Sequence, residues 1–210
     1  MINNISINCH SSIKINGEKI IYIDPYKIKE INKDADLIFI THEHYDHYSI
    51  EDINNVKKNN TRFIVPKSMK NRLIIDGISE SDIISVDVKN KYNVDDIEFE
   101  TIPAYNINKS FHPKNSNWVG YIININNIKY YIAGDTDITD EAINVKCDIA
   151  FIPIGGTYTM DYKEAATLTN KIKPKYAIPI HYGLIVGKYE DAIKYSNLLD
   201  KEIECKIIIK

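Results

Sequence analysis

Three times along this chain a short apolar run stops at a side chain able to bind metal. Leu37-Ile38-Phe39-Ile40 runs into Thr41-His42-Glu43-His44-Tyr45-Asp46-His47, and Tyr130-Tyr131-Ile132-Ala133 runs into Gly134-Asp135-Thr136-Asp137. Tyr176-Ala177-Ile178-Pro179-Ile180 runs into His181-Tyr182-Gly183. Short continuous apolar runs suit strands buried on both faces, and α/β scaffolds assemble their sites from the ends of several strands. A strand-end aspartate alone is more often a cap, and a single histidine is usually satisfied by hydrogen bonds. Three such ends in one chain point to a single purpose.

The pattern between these runs fills in the fold. Ile5-Ser6-Ile7 and Ile13-Lys14-Ile15 alternate, Asn16-Gly17 signals a two-residue turn, and residues 19–23 return as a strand before Asp24-Pro25. Ser49, with Asp52 three residues on, predicts a helix start. Strands over 63–65 and 83–86 flank a helix over 67–75. Longer strands over 97–102 and 118–125 lead through Asn126-Asn127 into 128–133. The last third reads as strand 148–152, helix 161–172 opened by Asp161 and Glu164, strand 176–180, helix 189–199 and strand 204–209. Hairpins first and βαβ alternation later predict two packed sheets flanked by helices. No internal repeat is evident.

Composition bounds the rest. The chain has 210 residues, 44% of them apolar, and no Pro/Gly/Ser-rich linker, so a single domain over 1–210 is expected. A net charge of −3 gives no global basic field, which argues against nucleic acid as a partner. Lys57-Lys58 reads as a solvated helix face. Cys9, Cys147 and Cys205 are odd in number and form no CxxC pair, which favours a reducing compartment, with Cys147 and Cys205 as buried inert thiols. The start lacks a basic and apolar leader, and no apolar run approaches the ~20 residues of a membrane span. A cytoplasmic protein is expected.

Three of the six histidines fall in residues 42–47 together with Asp46. Imidazole is the commonest metal ligand, and carboxylate is a frequent companion. In an extended segment His42 and His44 point the same way and can share one ion. A turn after His44 would present Asp46 and His47 to a second centre. The spacing differs from the i, i+4 pair of a helical HExxH motif, so the site belongs to a loop.

With these segments in order, the chain resembles the metallo-β-lactamase-fold hydrolases along essentially its whole length. His42-x-His44-x-Asp46-His47, Gly134-Asp135-Thr136 and His181 carry the resemblance. It implies a four-layer αββα sandwich with one or two metal ions. In it, His42 and His44 would serve the first ion, Asp46, His47 and His181 the second, and Asp135 would bridge. The compact branch containing ascorbate-phosphate lactonase and the phospholipase-D-type enzyme acting on N-acyl phosphatidylethanolamines is the most similar. Cys9-His10-Ser11-Ser12 resembles that branch's GHSS-like start. Ile23-Asp24-Pro25 resembles its early Asp-Pro turn, where Asp24 would support the histidine loop.

The chain departs from the family at one ligand. A third histidine for the first ion usually follows a middle strand, but Ile102-Pro103-Ala104-Tyr105-Asn106 places Asn106 there. A neutral amide oxygen is a poorer zinc ligand. His112, six residues on, either completes the shell, faces substrate or sits idle in its loop. His10 is read as supporting the ligands, facing substrate, or buried for structure. Gly155-Gly156, ahead of a helix, is read as a turn, with anion binding by backbone N–H groups as the alternative.

The expected activity is hydrolysis of a small, possibly anionic substrate, either a phosphodiester or an ester or lactone. The expected metal is zinc, with manganese or iron as alternatives, and Asp46 is expected to orient the nucleophile. His112, Tyr105 and Tyr182 are candidate donors to the leaving group. A metal-stabilised binding or sensing module and a metal-dependent oxidoreductase are the rival readings. The oxidoreductase relatives carry Glu at the position of His44 and a flavin domain, which this chain lacks. Composition says nothing of oligomeric state.

Overall fold

Each of the two sheets begins antiparallel and ends parallel. The computed structural model describes residues 2–209, and the chain divides into two units at Asp87/Val88.

The first unit holds a six-stranded sheet in sequence order: β1 (Ile5–Ile7), β2 (Ile13–Ile15), β3 (Ile21–Ile23), β4 (Ala35–Phe39), β5 (Lys57–Pro66) and β6 (Ile83–Val86). β1, β2 and β3 pair antiparallel, and β3 to β6 pair parallel. Parallel neighbours need crossovers: residues 24–34 join β3 to β4 without an α-helix, α1 (Ile50–Val56) lies between β4 and β5, and α2 (Lys70–Ile75) between β5 and β6. Ser49 caps α1 by accepting the Asp52 N–H, as the sequence predicts. Tyr22, Ile38, Ile40, Phe63 and Val65 form one face of the core with Ile53, Val56, Met69 and Leu73 of the helical segments. Ile21, Ile23, Leu37, Phe39 and Ile64, on the alternate positions, are fully buried too. Each aliphatic side chain so buried contributes about 1.5–3 kcal/mol. Because β1 runs parallel to β3 and β4, the residues after all three strands leave at one edge. His10, Asp24 and Thr41 to His47 follow from that geometry.

The second unit holds a seven-stranded sheet, also in sequence order. Its strands are β7 (Lys91–Val94), β8 (Ile97–Pro103), β9 (Val119–Ile125), β10 (Ile128–Ile132), β11 (Ile149–Pro153), β12 (Tyr176–Ile180) and β13 (Glu204–Cys205). β7 to β10 pair antiparallel and β10 to β13 parallel. The β9–β10 hairpin turns on Asn126 and Asn127, both at positive φ (52° and 61°), the conformation that a two-residue turn of matching twist requires. α3 (Tyr162–Ile172) starts with a capping box in which Asp161 and Glu164 satisfy each other's backbone N–H groups, and α4 (Tyr189–Asn197) precedes β13. β8, β10, β11 and β12 run in the same direction, so their C-terminal ends share an edge. That edge carries Asn106, Asp135, Gly155 and His181.

Three elements differ from those the sequence predicts. β7 is an extra strand, too polar in Lys91-Tyr92-Asn93-Val94 to show an apolar period. β5 begins at Lys57, so Lys57-Lys58 lies on a strand rather than a helix, with Lys58 Nζ 2.6 Å from Asp36. β13 covers only Glu204–Cys205 of the expected 204–209. No helix among the described residues is long and apolar enough to cross a membrane.

Candidate metal centre

The first unit builds a cluster of candidate ligands on the loop after β4. His47 and Tyr48 N–H groups both return to the His44 carbonyl (2.9 and 2.8 Å), giving the turn expected after His44. His42, Asp46 and His47 are buried, His44 is half-buried, and Glu43 and Tyr45 face solvent. Asp24 organises the loop from the end of β3. Its Oδ1 accepts the Thr41 N–H (2.8 Å), and its Oδ2 accepts both the Thr41 hydroxyl (2.7 Å) and His47 Nδ1 (2.7 Å). Burial pushes the Asp24 carboxyl up, while His47 and the Thr41 donors pull against it.

That network assigns the imidazole tautomers. Thr41 has one hydroxyl proton and gives it to Asp24, so its Oγ1 can only accept from His42 Nδ1, 3.0 Å away. Both His42 and His47 therefore carry the proton on Nδ1 and present Nε2. His42 Nε2 lies 3.0 Å from His44 Nδ1, a spacing at which two ring nitrogens share a proton or a cation. His10, fully buried, sets Nε2 3.1 Å from Asp46 Oδ2, and His47 Nε2 lies 3.6 Å from the same oxygen. One ligand atom from each of His10, Asp46 and His47 falls within 4.8 Å of the others. His10 and Asp24 both have left-handed backbones (φ 52° and 46°), which side chains other than glycine adopt at a cost.

The second unit builds its cluster from three strand ends. Asp135, 4% exposed, holds Oδ2 3.1 Å from His181 Nε2 and 3.2 Å from His112 Nε2. His181 is also left-handed (φ 59°). Its place depends on Gly155: a Cβ there would collide with the His181 carbonyl oxygen and approach a Val186 methyl to 2.6 Å. Gly155 is thus a close-approach glycine rather than only a turn residue. The loop after β8 is stitched to the loop after β10. Thr136 Oγ1 donates to the Tyr105 carbonyl (3.2 Å), and Asp137 accepts the Ile107 N–H (2.9 Å) and Lys109 Nζ (2.5 Å). The local sequence pattern signals none of these bonds between the two loops.

Asn106 does not act as the missing histidine. Its Oδ1 is taken by two His112 groups, the backbone N–H and Nδ1, each at 3.0 Å. His112 instead brings Nε2 to Asp135, as a completing ligand would. The buried Tyr182 hydroxyl donates to the Ile209 carbonyl (3.2 Å), which takes it away from a leaving-group role. The Tyr105 hydroxyl donates to Glu141 (2.8 Å) and accepts from Lys114 (3.1 Å). Among the described residues all three cysteines are free and half-buried, and burial pushes the Cys147 thiol up to about 12.

The donor chemistry of both clusters suits a divalent ion. Buried imidazoles whose second nitrogen is held by a protein acceptor are the usual arrangement of metal-binding histidines. His42, His47 and His112 all have it, through Thr41, Asp24 and Asn106 respectively. Mixed imidazole and carboxylate donors fit zinc, and also manganese and iron.

The chain belongs to the metallo-β-lactamase superfamily, since the Beta-lactamase superfamily domain matches residues 4–181. Its two sheets with helices are consistent with that fold. A relative named UPF0173 metal-dependent hydrolase from Sulfolobus acidocaldarius is 33% identical, over 82% of this chain and 78% of its own length. Another of that name from Thermococcus onnurineus is 28% identical over 95% of this chain and 93% of its own. The crystal structure of a candidate metal-dependent hydrolase from Parabacteroides distasonis is 28% identical, covers 98% of this chain and 93% of its own, and has a TM-score of 0.80.

Proposed function

We propose that the protein is a metal-dependent hydrolase in which His42, His44, Asp46, His47, Asp135 and His181, completed by His112, bind one or two zinc ions. The family match takes in both clusters, and relatives across most of the chain are named as metal-dependent hydrolases. The observation that carries the reading is the tautomer control: His42, His47 and His112 each have Nδ1 tied to a protein acceptor and Nε2 turned toward another candidate ligand, His44, Asp46 and Asp135 respectively. A divalent ion bound by such groups lowers the pKa of a coordinated water from roughly 16 to about 7 and polarises a carbonyl or phosphoryl centre. Asp46, whose Oδ2 lies 3.1 Å from His10 Nε2, would help hold the ion and orient the attacking water. His10 and Asp24 hold the ligands in place. Asn106 is not itself a ligand.

The substrate is a small phosphodiester, ester or lactone, and the compartment is the cytoplasm, a choice supported by the free cysteines. Zinc-loaded protein should hydrolyse an activated phosphodiester such as bis-p-nitrophenyl phosphate, or a member of a lactone panel. Asp46→Asn should abolish that turnover while keeping the fold. Metal uptake without turnover on either panel would instead indicate a binding or sensing module. Iron with redox activity would indicate an oxidoreductase.

A further inference from the structure

We infer that Asn106 is a positioning residue that fixes the tautomer and direction of His112, so that the displaced histidine presents Nε2 as a ligand. The orientation of the Asn106 amide is set by two partners that each work in one direction only. The His112 backbone N–H, 3.0 Å away, can only donate, so it requires the amide oxygen. The Tyr158 carbonyl, 3.0 Å from Nδ2, can only accept, so it requires the amide nitrogen. With Oδ1 placed this way, the imidazole nitrogen beside it must be the protonated one: Nδ1, at 3.0 Å. Nε2 is left on the side of Asp135, 3.2 Å away.

The backbone closes the same ring. The Asn106 N–H donates to the His112 carbonyl at 2.8 Å, so residues 106–112 form a loop tied at both ends. Asn106 and His112 are 6% and 1% exposed, and an edge contact with Trp118 packs the His112 ring from the side (5.6 Å between centroids). A histidine at 106 could not do this work, because a single ring nitrogen cannot accept two N–H groups while the residue donates an amide to Tyr158. The residue at the position where the resembled family carries a ligand histidine therefore supplies the part that holds His112.

This inference rests on the proposed ligand role of His112, and the test separates the two. Apo protein is titrated with zinc against a chromophoric chelator for the wild type, His112→Ala, Asn106→Ala and Asn106→Asp. Asn106→Ala should lower zinc affinity by about 10–100-fold, the usual effect of losing the group behind a ligand. Asn106→Asp, which keeps the acceptor oxygen, should stay within a few-fold of wild type. In zinc-loaded, 15N-labelled wild type, long-range proton–nitrogen spectra should place the His112 proton on Nδ1. A proton on Nε2 overturns the inference without any variant. Wild-type affinity in Asn106→Ala, with affinity lowered in His112→Ala, overturns it while leaving His112 as a ligand. Wild-type affinity in His112→Ala overturns the ligand role itself. Lower melting temperatures in both Asn106 variants with unchanged affinity would mark a purely structural residue and overturn the inference.

Discussion

The two candidate ligand clusters solve one problem in opposite ways. In the first unit the candidate ligands come from a single loop, His42 to His47, and the group that orients them, Asp24, arrives from a different strand end. In the second unit the candidate ligands arrive from separate strand ends, as Asp135, His181 and His112, while the orienting Asn106 sits in the same loop as the histidine it serves. A loop that carries several ligands has little freedom to aim each of them, so the acceptors come from outside. A lone histidine on a long loop can be aimed from within that loop. Both routes end with a buried imidazole whose Nδ1 is held and whose Nε2 is presented.

The sharpest break of this comparison removes the group that gathers the second cluster. Asp135→Asn should lose bound zinc and turnover by far more than the ~10–100-fold that an orienting partner costs, read by chelator competition and by turnover on the activated diester. Next comes the organiser of the first cluster. Asp24→Asn should lower zinc affinity by about 10–100-fold, because His47 Nδ1 and the Thr41 hydroxyl lose their shared carboxylate. An effect as large as that of Asp135→Asn would mean that Asp24 is itself a ligand.

Smaller effects test the scaffold under each cluster. Gly155→Ala should cost about 1–3 kcal/mol by overpacking, seen in urea unfolding, because its Cβ meets the His181 backbone. The second unit also has a polar cluster with no ligand role, in which Lys89 and Tyr105 bond Glu141. Burial raises that carboxyl, but these donors outweigh it and hold it at about 2, against 4.5 for a free glutamate. A lowered pKa means that the stabilisation is complete above pH ~4.5 and lost as pH falls toward 2. Glu141→Gln should therefore lower the melting temperature at pH 6 and leave little difference near pH 2. A constant difference across that range would contradict the assignment.

The strand-end candidate ligands are legible in the sequence because their signals are local. A buried strand shows as a continuous apolar run, and the next residue is where a side chain can leave the sheet. His42, His44, Asp46, His47, Asp135 and His181 all lie at such ends. Asp24 and the Ser49 and Asp161 helix starts were legible for similar reasons, being turn and cap residues with their own spacing. What escaped were relations between distant residues. β7 has no apolar period, and only pairing with β8 makes it a strand. Gly155 reads as a turn until the His181 carbonyl is placed against it. Asn106 reads as a poor ligand until His112 is found on its amide oxygen, six residues away across a closed loop. The shared order of the two sheets, antiparallel then parallel, is also absent from the sequence as any repeat of residues.

Both clusters are expected to bind metal, and metal content per chain tests this most directly. Wild-type protein, His42→Ala and Asp135→Asn would be loaded with zinc, desalted and measured by inductively coupled plasma mass spectrometry, with folding checked by circular dichroism. The account predicts stoichiometric zinc in the wild type and a clear loss in both variants, one for each cluster. Folded wild-type protein that retains no zinc, manganese or iron, or full zinc content in both variants, would contradict it.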